Sequence, residues 1–136
     1  MNKFEFLEDL TSDVMFKSYG ESKEELFENS ALALFTIICE IDKVSSKKEI
    51  EIEVNGENLE DLLFNWLTSL IAFQEIEQMF FSKFKILSLT DKKIIAKLCG
   101  EDMTKEKGLT HVKAITYYKY KVEKKKVYEA TVTCDI

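Results

Sequence analysis

Asn58-Leu59-Glu60-Asp61-Leu62-Leu63-Phe64-Asn65-Trp66-Leu67-Thr68-Ser69-Leu70-Ile71 is the stretch that decides the fold. Leu59, Leu62, Leu63, Trp66, Leu67, Leu70 and Ile71 recur at the spacing of one helical face without a gap. Asn58 stands in front of that stripe with a side-chain oxygen able to accept a free backbone N–H. Asp61 puts a negative charge in the first turn, where the helix dipole favours it. After about Glu77 the apolar period changes from 3.6 to 2. Residues 81–89 and 94–99 read as strands joined near Thr90-Asp91-Lys92-Lys93, and a polar loop begins at Gly100. Residues 112–122 alternate Val112, Ala114, Thr116, Tyr118, Tyr120 and Val122 against Lys113, Ile115, Tyr117, Lys119 and Lys121. A charged connection, residues 123–126, leads to a last strand over residues 127–134.

Upstream, Phe4 to Leu7 is short, apolar and extended, and residues 13–20 alternate up to the turn residue Gly20. Ser22-Lys23-Glu24-Glu25 is a capping box that starts a helix with Phe27, Ser30, Ala31, Leu34, Ile38 and Ile41 on its main face. Leu26, Ala33 and Ile37 widen the stripe, so this helix is buried on more than one side. Residues 48–54 set Ile50, Ile52 and Val54 against Glu49, Glu51 and Glu53, a strand with one wet, acidic face, ended by Asn55-Gly56. Two early helices and late antiparallel strands predict the α+β class: a two-layer sandwich with both helices on one face of a mostly antiparallel sheet. At 136 residues, with no Pro- or Gly-rich linker, the chain is expected to form one domain over 1–136.

Composition narrows function. Ten Phe, five Tyr and one Trp exclude a disordered chain, and no apolar run reaches the roughly 20 residues of a membrane helix. The N-terminus lacks a signal-peptide pattern, so a cytoplasmic protein is expected. Cys39, Cys99 and Cys134 have no metal or redox spacing and read as small buried hydrophobes. Residues 1–61 carry 16 acids and 6 lysines, net −10, whereas residues 62–136 carry 9 acids and 13 lysines, net +4. All 19 basic residues are Lys. Arg is the side chain that forks onto phosphate and guanine, so its absence argues against sequence-reading nucleic-acid contact. Six lysines and three tyrosines over residues 113–126 could track a nucleic-acid backbone, but a solvated, Lys-rich edge explains them equally well. With His111 the lone histidine and no phosphate loop or zinc spacing, nothing asks for catalysis.

Acids at strand boundaries stand out instead. Asp13 opens a strand, and Asp135 precedes Ile136, whose α-carboxylate adds a second negative group one residue away. Carboxylates this close repel, and a hard divalent cation, Ca²⁺ or Mg²⁺, would relieve them. A mixed site forms if the first and last strands bring Asp13 alongside Asp135. The alternative is a turn aspartate at 13 and a frayed tail at 135–136.

Several motifs together resemble the archease family. Leu10-Thr11-Ser12-Asp13-Val14 resembles its N-terminal H-T-A-D-V/I signature, and Gly20 with Ser22-Lys23-Glu24-Glu25-Leu26-Phe27 its Ser-led helix start. Asp61-Leu62-Leu63-Phe64-Asn65-Trp66-Leu67 resembles its L-L-x-x-W-L helix. Gly100-Glu101, Val112-Lys113-Ala114-Ile115-Thr116-Tyr117 and the Asp135-Ile136 end resemble its late motifs. Leu10 and Tyr118 occupy positions where the family carries histidine. The resemblance implies a chaperone-like, non-catalytic activator of an RtcB-type tRNA-splicing RNA ligase, promoting guanylylation of the ligase and multiple turnover. It implies a metal site on Asp13, Asp135 and Ile136, Ca²⁺ before Mg²⁺, with Lys113 reaching towards the ligase. The competing expectation is a general chaperone or assembly module.

Overall fold

The structure, a computed structural model, describes residues 2–7 and 13–136. Leu10, Thr11 and Ser12 of the N-terminal motif lie outside the described residues. The elements run β1 (Phe4–Leu7), β2 (Asp13–Gly20), α1 (Lys23–Ile38), β3 (Lys48–Asn55), α2 (Leu59–Glu77), β4 (Met79–Leu89), β5 (Lys93–Asp102), β6 (Ala114–Lys124) and β7 (Tyr128–Asp135).

Both helices start where their caps predict. The Glu25 N–H donates to Ser22 Oγ at 3.1 Å, and the Asp61 N–H to Asn58 Oδ1 at 2.8 Å. Asp61 also accepts from the Glu57 N–H at 2.8 Å, so its carboxylate reaches back to the residue before the cap. Helix α1 ends at Ile38, earlier than its stripe suggests, and Ile41 opens a separate 3₁₀ turn.

The α+β class and the antiparallel pairing are as expected, but the strands divide into two sheets. One has the order β1-β2-β7-β6, the other β3-β5-β4. Both helices touch strands of both sheets, α1 mainly β2 and β4, α2 mainly β6 and β3. This is why α1 is apolar almost all round: Leu26, Phe27, Ala31, Ala33, Leu34 and Phe35 are fully buried. Trp66 anchors the core, its ring near Phe27 and Phe84 and its Nε1–H donating to the Phe27 carbonyl at 3.1 Å. Buried Trp requires such an acceptor for its one donor.

The acidic face of β3 meets lysines across the register, with Glu49 at 3.6 Å from Lys97 and Glu53 at 3.9 Å from Lys93. Gly100 lies where β5 passes β4 so closely that a Cβ would stand 1.8 Å from the Phe80 carbonyl oxygen, so only Gly fits there. Next to it, the carboxylate of Glu101 accepts from the Ser45 N–H and from Lys107 Nζ at 3.0 Å. Those two bonds, the Ser45 N–H first, hold Glu101 below the usual carboxylate range. Gly100-Glu101 thus fastens two loops to the sheet.

Candidate metal centre

β7 lies between β2 and β6, and its register sets Asp13 directly opposite Asp135, with Ala114 on the far side of Asp135. Direct cross-strand partners point to the same face with Cβ atoms about 4.5–5.5 Å apart. The two acidic residues from opposite ends of the sequence therefore share one rung. β1 pairs with β2 only over Met15 to Ser18, so this rung lies past the last residue that β1 pairs. Both aspartates are half-buried.

Local sequence holds the rung in place. The Lys113 N–H donates to the Asp135 carbonyl at 2.8 Å, which extends the β6–β7 ladder by one bond, while the Lys113 side chain is exposed. The Ile136 side chain packs against the hydrophobic core. That contact holds Ile136 beside the last residue of β7, so 135–136 is packed and not frayed. Cys134, between Asp135 and Thr133, faces inward. Burial pushes its thiol up to about 12, with the nearby Asp13 charge adding to the effect.

Like charges on one rung destabilise it. Among the described residues, no three His, Cys, Asp or Glu side chains converge. The rung brings together two carboxylates, those of Asp13 and Asp135, and an oxygen-only pair would suit a hard cation such as Ca²⁺ or Mg²⁺ better than the nitrogen- and sulfur-seeking Zn²⁺.

The regular alternation expected through 112–122 is broken. Thr116 pairs with Thr133 and Lys121 with Thr131, so four residues of β6, Tyr117 to Tyr120, stand opposite Val132 alone. This large bulge turns Tyr117 and Tyr120 to the same side, where Phe64 of α2 receives both. Tyr117 stacks on Phe64 at 4.0 Å with a 2° tilt, and Tyr120 meets it edge-on at 5.3 Å. Tyr120 donates its hydroxyl to the Glu60 carbonyl at 2.6 Å, and burial holds its phenol well above the usual range. Thr133 was not singled out from the sequence. It lies on the same face as Asp135, is fully buried, and donates to the Tyr118 carbonyl at 2.8 Å. Two adjacent tyrosines inside an alternating run are the one sequence sign that the pleat fails there.

Much of the basic charge in 113–126 is spent internally. Lys121 meets Glu123 at 2.9 Å, Lys125 meets Glu129 at 3.5 Å, and Lys124 lies 4.9 Å from the Tyr128 ring centre. The solvated-edge reading fits these contacts better than a nucleic-acid track. His111 is exposed and outside any strand.

The profile of the archease protein family (MTH1598/TM1083) matches residues 4–136. The chain belongs to the archease family. It is 39% identical over 132 residues to the archease of Sulfurisphaera tokodaii, with 94% of each chain covered. It is 43% identical over 119 residues to that of Pyrococcus abyssi, with 84% of each covered. The solution structure of Methanobacterium thermoautotrophicum protein 1598 superposes with a TM-score of 0.82 at 29% identity over the whole of both chains. An archease from Thermotoga maritima, described as a possible chaperone, shares the fold at a TM-score of 0.68 and 20% identity, covering 96% of this chain and 98% of that one. Within the archease frame, Gly100-Glu101 and the L-L-x-x-W-L helix are architectural, whereas Asp13, Lys113, Asp135 and Ile136 gather at one end of one sheet.

Proposed function

We propose that this archease is a non-catalytic activator of an RtcB-type tRNA-splicing RNA ligase, promoting guanylylation of the ligase and its multiple turnover. The observation that carries this reading is the Asp13–Asp135 rung, with Ile136 packed beside it. A divalent cation, Ca²⁺ by the all-oxygen donor set and Mg²⁺ as the alternative, would be held by Asp13, Asp135 and the α-carboxylate of Ile136. When bound it supplies a positive centre at the mouth of the ligase site. Lys113, one residue outside the rung with its side chain in solvent, extends towards the ligase. The acidic first half of the chain favours encounter with a basic, RNA-binding surface. RNA recognition is left to the ligase, consistent with a chain that has no Arg.

The test is a ligation time course with RNA in excess over ligase, with and without the archease. Stimulation is expected with the wild-type protein and is lost in Asp13→Ala and Asp135→Ala, which keep their circular dichroism. Undiminished stimulation by the two variants refutes the reading. A second reading, a general chaperone, is favoured by exposed apolar side chains such as Phe6 and Leu109. It predicts protection of unrelated proteins from aggregation, which a dedicated activator does not give.

A further inference from the structure

The outer face of the β3-β5-β4 sheet carries its charges in separate rows. The register sets Glu49, Cys99 and Lys83 on one rung and Glu51, Lys97 and Lys85 on the next. Acids therefore stand on β3 and lysines on β4, and Lys85 faces Lys97 directly, a like-charge pair that destabilises the sheet. Cys99, in the middle, is small and buried between longer side chains, so the face dips there. The dip is a pocket of about 180 Å³, which Ser46, Lys47, Lys48 and Lys85 line together with the Cys99 rung. Edge lysines commonly shield a strand from pairing with another chain, and β4 is an edge. Shielding gives no reason for Lys47 and Lys48 to line the same hollow as Lys83 and Lys85, three strands across.

Ion pairing accounts for part of this charge. Lys48 meets Asp102 at 2.7 Å, Lys47 lies 3.9 Å from Glu101, and Glu49 is taken by Lys97 at 3.6 Å. Among the described residues, no carboxylate comes within 4.0 Å of Lys83 or Lys85. Two exposed positive charges are left over beside a hollow with room for a phosphate and its first waters. We propose that this pocket binds a phosphate dianion, either inorganic phosphate or a phosphate monoester, with Lys83 and Lys85 as counter-charges and Ser46 as a hydroxyl donor. Lysine binds phosphate as a point charge and needs no fork, so a chain without Arg can build such a site. A monoester carries about −1.5 to −2 charges at pH 7, which the two lysines match. A nucleic-acid strand fits the face poorly, because in crossing it would run from the lysines onto Glu49, Glu51 and Glu53. The site lies on the sheet that does not carry Asp13 and Asp135, and it stands independently of the activator reading.

The test is calorimetry with inorganic phosphate at low ionic strength, where charge pairing at an open site is least screened. The wild type is expected to saturate with a Kd below about 1 mM, and Lys83→Gln/Lys85→Gln to bind at least tenfold more weakly. Both side chains are exposed, so the double variant should keep its circular dichroism. Should it fold poorly, Lys85→Gln alone carries the measurement, since it also relieves the repulsion from Lys97. Lys105→Gln/Lys126→Gln, which removes two exposed lysines elsewhere, should bind phosphate as the wild type does. Adenosine monophosphate then separates the two sources: tighter binding than free phosphate assigns the site to a monoester, weaker binding to the ion itself, and either supports the proposal. A wild type that does not saturate by about 10 mM phosphate overturns it. So does equal affinity in the Lys83/Lys85 variant, or an equal loss in the control pair, which would make the effect one of net charge. Tighter binding of an RNA oligomer without a terminal phosphate makes the face a strand track and overturns the proposal as well.

Discussion

Replacing Asp13 by Asn removes one of two charges that face each other across the β2–β7 rung while keeping shape and hydrogen-bonding capacity. At about 5 Å, two unit charges repel by ~0.8 kcal/mol in bulk water and ~3 kcal/mol at an effective dielectric constant near 20. Half-buried groups lie between those limits, so relief of about 1 kcal/mol is expected. In excess chelator, Asp13→Asn should therefore melt about 3–5 °C above the wild type. Divalent cation reverses the order. At a hundredfold excess over its Kd it stabilises the wild type by about 2.7 kcal/mol, a gain the variant largely forgoes. Thermal melts by circular dichroism, with EDTA and then with titrated CaCl₂, should show the two curves crossing. Parallel shifts of both proteins, or a variant that melts below the wild type in chelator, would show that the rung neither repels itself nor holds the ion.

Gly100→Ala forces a Cβ to within 1.8 Å of the Phe80 carbonyl and should cost roughly 3 kcal/mol or more, read from urea unfolding. Trp66→Phe leaves the buried Phe27 carbonyl without its donor and opens space in the core. A loss of about 2–3 kcal/mol in the same assay is expected. Glu101 has a folded pKa below its ordinary 4.5, so its contribution is present above pH ~4.5 and lost as pH falls through the folded value. Glu101→Gln should be less stable at pH 7 and should show a shallower acid loss below pH 4.5. Cys39 and Cys134, with thiols raised by burial to about 12, should resist thiol reagents at pH 8 until the protein unfolds.

Local chemistry was legible in the amino-acid order wherever one element decides it. Ser22 and Asn58 start their helices through their own side chains, and Glu77 marks where the period changes. The division into two sheets was not, because strand order depends on which surfaces α1 and α2 can cover together, a property of the assembled core. The all-round apolarity of α1 was its only trace. Asp13 and Asp135 were readable as candidates, since charged residues at strand ends need a reason, yet their pairing is a matter of register, which no single strand encodes. The bulge was hidden more deeply. Tyr117 leaves the alternation because Phe64, fifty-three residues earlier, offers it a ring to lie on.

Placement of residues 128–135 in the middle of their sheet has a consequence for biosynthesis. Ribosomes deliver β1, β2 and β6 before the strand that joins them, so β2 and β6 wait with open edges until β7 emerges. A product truncated ahead of Tyr128 leaves both edges unsatisfied and is marked for proteolysis. The opening aspartate meets its counterpart only in a molecule whose sheet has closed, which makes the acidic rung a certificate of completed folding.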